Sequence, residues 1–192
     1  MDKKIDIRQL NLEELTSKLT DLGEKPFRAK QIHEWLWKKR ATSFDQMTNL
    51  SLSLRKTIED NFIINAIQLT EAQKSNDRTI KNAFLLSDSS VVEGVLIPTK
   101  KRMTACVSVQ VGCSLDCAFC ATGKLKRVRN LNPDEIYDQV VMISQQSKNE
   151  YDIPLSNIVF MGMGEPLLNY KNVISSIDKI TSKDGLGMSP KR

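Results

Sequence analysis

Three of the four cysteines in this 192-residue chain, Cys113, Cys117 and Cys120, stand together in "VGCSLDCAFCATGK". Their spacing is C-x-x-x-C-x-x-C. Gly112 and Gly123 flank them, and Lys124, Lys126, Arg127 and Arg129 follow. Thiolates are soft ligands for iron and zinc. Three on one loop can hold three irons of a four-iron, four-sulfur cluster, leaving the fourth iron open to a substrate. The competing reading is a structural zinc with Cys106 as fourth ligand. Zinc sites usually pair their cysteines on separate knuckles, whereas here one upstream residue would have to join three on a single loop. His33, the only histidine, falls in a helical segment among packing residues and reads as a partly buried surface side chain.

Three further stretches carry residues able to do chemistry. In "GMGEP", residues 162–166, Gly162 and Gly164 let the backbone approach a ligand closely, and the Glu165 carboxylate can accept from an ammonium group. Taken alone, the same residues serve a tight turn between strand and helix. Glu93 interrupts the apolar run "VVEGVLIP", where strand alternation would by default set it on a solvated face. Cys106, in "TACVSVQ", reads as a small buried hydrophobe.

The elements that must position these residues are legible from periodicity. Residues 1–62 read as helical. "NLEELTSKLTDLG" repeats leucines at helical spacing, "PFRAKQIHEWLWKK" begins with Pro26 at the first helical position, and "LSLSLRKTIEDNF" forms a third short helix. Arg28, Lys30, Lys38, Lys39 and Arg40 decorate this module. After Phe62 come short β-rich runs, "AIQLTEAQKS", "TIKNAFLLS", "SVVEGVLIP" and "TACVSVQVG". The remainder alternates: strand 104–110, cysteine loop, helix 133–148, strand 157–162, "GMGEP" loop, helix 170–182. Such alternation predicts βαβ units and a parallel sheet, with both loops at its carboxyl edge, where functional loops collect.

Composition sets outer bounds. The net charge of +5 permits nucleic-acid binding without demanding it. The charged start, "MDKKIDIRQL", is no secretory leader, and no apolar run reaches the ~20 residues of a membrane helix. These features predict a cytoplasmic protein with no membrane association. In that reducing setting, clustered cysteines point to metal or catalysis before disulfides.

"CSLDCAFC" fits the radical S-adenosylmethionine (SAM) signature, with Phe119 at its aromatic position. Together with "SVVEGVLIP", "ACVSVQVGCSLDCAFCATG", "RNLNPDEIYDQV" and "VFMGMGEPLLNY", it resembles the RlmN family of radical SAM methyltransferases, which act at adenine C2 of 23S rRNA and of some tRNAs. "GEKPFRAKQIHEWLWKK" is similar to that family's N-terminal accessory module, so the resemblance covers essentially the whole chain. It implies an α/β fold: the start of a partial (βα) radical SAM barrel, preceded by a small helical accessory module and a short β-rich segment. The expected divisions are 1–62 for the RNA-binding module, 63–103 for the β-rich connection and 104–192 for the first two βα units.

The resemblance further implies a [4Fe-4S] cluster on Cys113, Cys117 and Cys120, and SAM with its amino group at Gly164 and Glu165. It makes Glu93 a proton acceptor. It sets Cys106 close to a mobile, methyl-carrying C-terminal cysteine, where it helps to resolve a protein–RNA adduct. The implied partners are 23S rRNA, tRNA and an electron donor such as flavodoxin, and the implied state is a monomer. The basic residues at 124–130, with Lys100, Lys101 and Arg102, are expected to follow RNA phosphates. Family members are nearly twice as long, and the methyl-carrying cysteine has no counterpart here. The expectation is therefore an N-terminal fragment, inactive by itself. A Cfr-type adenine-C8 methyltransferase and a zinc-stabilised, non-catalytic RNA-binding module are the alternatives.

Overall fold

A computed structural model describes residues 4–100 and 102–190. Lys101 therefore lies outside the described residues. The chain divides into two compact units, one running to Asn65 and including Lys179–Met188, the other centred on Ala66–Asp178.

The first unit opens with strand β1 (Ile5–Asp6). Helix α1 (Leu12–Asp21) starts at Asn11, whose side chain accepts from the Glu14 amide while the Glu14 carboxylate accepts from the Asn11 amide. This reciprocal box satisfies two amides that a helix start otherwise leaves unpaired. Helix α2 (Phe27–Trp37) buries Ala29, Ile32, Leu36 and Trp37 at helical spacing. Pro26 occupies its capping place, one residue before the position expected from the sequence. Helix α3 (Leu52–Asn61) is capped by Ser51, and β2 (Phe62–Ile63) returns parallel to β1. Both carboxylate oxygens of buried Asp6 are used here, accepting from the amides of Arg8 and Asn65.

The second unit is built on one sheet. Strands β3 (Gln68–Lys74), β4 (Ile80–Leu85), β5 (Val91–Pro98) and β6 (Met103–Cys106) form an antiparallel meander. The short strands β7 (Gln110–Val111) and β8 (Arg129–Asn130) pair with each other. Helix α4 (Pro133–Tyr151) then leads to β9 (Asn157–Val159), which lies parallel to β6, and α5 (Tyr170–Thr181) follows. The sheet order is β3-β4-β5-β6-β9. The β-rich stretch 63–103, expected as a separate connection, is thus hydrogen-bonded continuously into the α/β core.

The two faces of this sheet differ. Ile80, Asn82, Phe84, Val92 and Leu96 are buried on the face that α4 covers. Asn82 and Gln146 of α4 exchange two amide hydrogen bonds of 2.9 Å. At Gly94 the fit is closest: a Cβ there would stand 2.6 Å from Phe84 and 3.1 Å from Ile143. The opposite face carries Lys81, Val95, Cys106 and Val159 in one cross-strand row.

The strands expected over 104–110 and 157–162 are shorter than their apolar patterns. At Ser108 the backbone turns to a side chain: Gln139 of α4 accepts from its amide (2.9 Å) and donates to its carbonyl (3.1 Å). Past Cys106 the contact between the two strands continues as irregular bonds, Val107 to Val159, Gly162 to Val107 and Val109 to Met163.

Candidate functional site

The cysteine loop runs from β7 to β8, so its stem is a separate two-residue ladder, Gln110 opposite Asn130 and Val111 opposite Arg129. Gly112, at φ +70°, has the Lys126 carbonyl where a Cβ would stand, which a non-glycine residue could not accept without moving the stem. Inside, the Cys120 amide donates to the Cys117 carbonyl (3.0 Å) and the Gly123 amide to the Cys120 carbonyl (3.1 Å). The Leu115 amide points at Cys113 Sγ, 3.4 Å away. Phe119 is 94 % exposed.

All four cysteines are free thiols, each partly buried. Three free, soft thiols on one glycine-bounded loop fit a four-iron cluster in their chemistry, each giving its own iron one ligand.

The "GMGEP" turn lies against the strand that feeds this loop. A Cβ at Gly162 would stand 2.7 Å from Ser108 Oγ. One at Gly164, where φ is +93°, would stand 2.6 Å from Gln110 Cγ. Glu165 Oε1 accepts from the Leu167 amide at 3.1 Å, capping a short 3-10 turn over Pro166–Asn169. Gly164 and Glu165 are thereby brought beside the cysteine-loop stem.

Glu93 and Cys106 share the sheet face that α4 leaves open, on neighbouring strands. Glu93 lies on the solvated face that strand alternation assigns by default. Its side chain is 49 % exposed and pairs with Lys81 at 2.6 Å, because strand parity turns it away from the core, toward a shallow groove that also includes Glu71 and Gln73. Cys106 is half-buried rather than enclosed. Burial pushes its thiol up, and a hydrogen bond from the Met161 backbone partly opposes this.

The basic residues divide. Lys100, Arg102, Lys124, Lys126 and Arg127 are exposed. Arg129 is instead taken up by structure, in correction of the expectation that it follows phosphates. Its guanidinium makes a bidentate pair with Glu135 (2.7 and 2.8 Å) and meets Asp88 at 2.6 Å. Arg129 is held well above the ordinary arginine range, first by Glu135, and Asp88 well below the usual carboxylate range, first by Arg129. In the other unit Arg28 lies over Phe27 at 4.8 Å and Lys39 over Trp35 at 3.9 Å, while Lys30, Lys38 and Arg40 are exposed. His33 accepts from Lys179 at 3.1 Å. Burial, then the Lys179 charge, holds its imidazole below the usual value.

Sequence reasoning passed over Ser108, Gln110, Gln139 and Asn130. In "VSVQV" the alternate polar residues look like a solvated strand face, yet Ser108 and Gln110 are both fully buried. The available signal was their place immediately before the cysteines.

Comparison with known proteins covers the same segments. The family model described as the ribosomal RNA large subunit methyltransferase N-terminal domain matches residues 5–64, and that of the radical SAM superfamily matches residues 107–185. A chain of Christiangramia forsetii named "Probable dual-specificity RNA methyltransferase RlmN" is 62% identical over 191 residues, covering 100% of this chain and 54% of the relative. One from Syntrophus aciditrophicus, named "Dual-specificity RNA methyltransferase RlmN", is 43% identical over 98% of this chain and 54% of its own length. The crystal structure of a radical SAM methyltransferase from Sphaerobacter thermophilus superposes with a TM-score of 0.84 at 34% identity, covering 98% of this chain and 55% of that one. The chain spans about half the length of the curated relatives it matches.

Proposed function

We propose that the chain belongs to the RlmN family of RNA methyltransferases and serves radical SAM methylation of adenine C2 in 23S rRNA and tRNA. One observation carries the reading: the cysteine loop and the "GMGEP" turn are hydrogen-bonded onto the same short strand segment, 107–111. A ligand spanning the two loops would therefore meet a fixed frame.

Family membership implies a four-iron cluster and SAM, which when bound supply the electron and the methyl group. The residues of this chain do the positioning. Cys113, Cys117 and Cys120 would each give one thiolate to iron. The Gly164 backbone, lying flat against the strand, and the Glu165 carboxylate would hold the SAM ammonium group. Glu93 offers a carboxylate on the open sheet face, oriented by Lys81, to receive a proton from the substrate carbon. Cys106, diagonal to it across the β5–β6 ladder, presents a thiol to the same space.

In this reading the parallel pair β6–β9 with α4 begins a partial (βα) barrel. The exposed cations of the cysteine loop and of α2 meet RNA phosphates. The protein acts as a cytoplasmic monomer, with a small electron-transfer protein such as flavodoxin as donor. Among the described residues no helix is long and apolar enough to cross a membrane.

The test is anaerobic reconstitution followed by mass spectrometry of RNA incubated with SAM and reductant, in the full-length protein. The expected product is 2-methyladenosine, and 8-methyladenosine would overturn the regiochemistry. Glu93→Gln should keep cluster content and SAM affinity while methylation falls ~10²-fold or more, the usual worth of a positioned base. Wild-type turnover by that variant would leave Glu93 a partner of Lys81 and nothing more.

A further inference from the structure

Gln110 is completely buried, and its side-chain amide faces two loops. Nε2 donates to Asn130 Oδ1 at 2.8 Å, at the point where the cysteine loop rejoins the fold. Oε1 accepts from the Glu165 amide at 3.0 Å, within the "GMGEP" turn. The main chain adds to this: the amides of Val109 and Gln110 both donate to the Met163 carbonyl, at 2.9 and 3.2 Å. A ring of hydrogen bonds closes from Asn130 Nδ2 to the Leu168 carbonyl (3.3 Å) and from the Leu168 amide to the Glu165 carbonyl (3.1 Å).

The two glycines of the turn match two strand residues of the same parity. Gly162 lies on Ser108 and Gly164 on Gln110. The two contacts have different consequences. Ser108 Oγ accepts from the Met163 amide (2.8 Å) and donates to the Glu93 carbonyl (2.6 Å), tying the turn to β5. Gln110 ties the turn to the stem of the cysteine loop. Glutamine suits this place because one side chain there must both donate and accept, at a reach that asparagine lacks.

We infer that Gln110 is a positioning residue that sets the cysteine loop and the Glu165 turn in register, so that SAM can engage both at once. This rests on the reading of these two loops as the cluster and SAM amine sites. A ligand that contacts two loops binds best when the protein has already fixed their relation, since otherwise binding must order them. Removing the tie leaves every thiol in place. Cluster uptake is kept, and what is lost is affinity for the ligand that bridges the loops.

The experiment compares wild type, Gln110→Met, Asn130→Ala and the double variant, each the full chain reconstituted anaerobically with iron and sulfide. Iron and sulfide content, thermal midpoint, SAM affinity by calorimetry, and the SAM-induced change in the electron paramagnetic resonance spectrum of the reduced cluster are measured. Gln110→Met keeps the length of the side chain without its hydrogen bonds. The expected result is near-normal cluster content in both single variants, SAM binding weakened about tenfold, as for a buried hydrogen bond lost with its partners left unpaired, and a diminished spectral response. The loss in the double variant falls short of the sum of the two single losses, because both substitutions break the Gln110–Asn130 link. Normal SAM affinity and spectral response in a variant that holds its cluster would overturn the inference, as would additive losses. Should Gln110→Met fail to fold, the half-buried Asn130→Ala decides alone. A wild-type protein that takes up no iron or binds no SAM would instead defeat the site reading beneath it.

Discussion

The residues proposed to bear chemistry are few, and they stand in different settings. Cys113, Cys117 and Cys120 stand on a loop closed by its own backbone bonds and bounded by glycines. Cys106 stands on a strand, half-buried, facing the same side as Glu93. If the loop thiols are iron ligands and Cys106 is not, replacing each should have opposite effects. Cys117→Ala should lose the cluster, since two thiolates cannot replace the three that such clusters take from this kind of loop. Cys106→Ala should keep it. Iron and sulfide analysis after reconstitution checks both. Full iron in Cys117→Ala, or loss of iron in Cys106→Ala, would revive a four-cysteine metal site. The loop motif makes these candidates legible from type and spacing alone. The Lys81 partner of Glu93 was not legible, because that contact is diagonal across two strands and depends on register.

At the scale of elements, the stem of the cysteine loop is held by a small electrostatic network. Arg129 of β8 bridges Glu135 in the first turn of α4 and Asp88 in the β4–β5 turn. Glu135 also accepts from the Asn132 amide that opens the helix, so helix start and loop stem share one carboxylate. Asp88 is held below its ordinary value mainly by Arg129. A depressed carboxylate contributes its stability above its unfolded value, about 3.9, and loses it as the pH falls from there toward the folded value. Unfolding midpoints should therefore be insensitive to this pair from neutral pH down to about pH 4 and drop below it, with Asp88→Asn showing a shallower drop. The difference should be modest, because Asp88 is 39 % exposed and solvent screens the pair. Equal acid slopes in denaturant titrations of the two proteins would remove Asp88 from the network that matters.

For the whole molecule, the proposed function turns on which cations would meet RNA phosphates. The excess of +5 is spread over both units, and side-chain pairing decides what each residue offers. Lys124, Lys126 and Arg127 are exposed, while Arg129 is neutralised by two carboxylates. A phosphate contact releases counterions, so each one adds roughly 0.7–0.9 to the slope of log affinity against log salt. RNA titrations of the full chain at several salt concentrations should thus show a lower slope for Lys124→Ala/Lys126→Ala. The slope of Arg129→Ala should remain that of wild type, with the loss appearing in thermal stability. A slope change for Arg129→Ala as large as that of the lysine pair would mean that the network opens to bind RNA.

Local pattern determined much of this protein. Helical spacing of leucines, the β-rich runs after Phe62, and the βα rhythm after residue 103 each express a backbone preference within a few neighbouring residues, which is why α1 to α5 and the parallel pair β6–β9 were readable. The cysteine spacing, too, is a local feature, since three candidate ligands on one loop are read from that loop alone. What tertiary structure alone decided is where that pattern breaks and what the breaks hold. The strand past Cys106 ends because Gln139, thirty-one residues away, takes the backbone bonds of Ser108. Gln110 looked solvated because alternation cannot distinguish water from a second loop folded over the strand. The two glycines of "GMGEP" require that close approach, yet the residues they rest on are fixed only when β9 pairs with β6 and brings the turn over 108 and 110. Register between distant segments is a property of the assembled sheet, and both candidate loops take their relation from it.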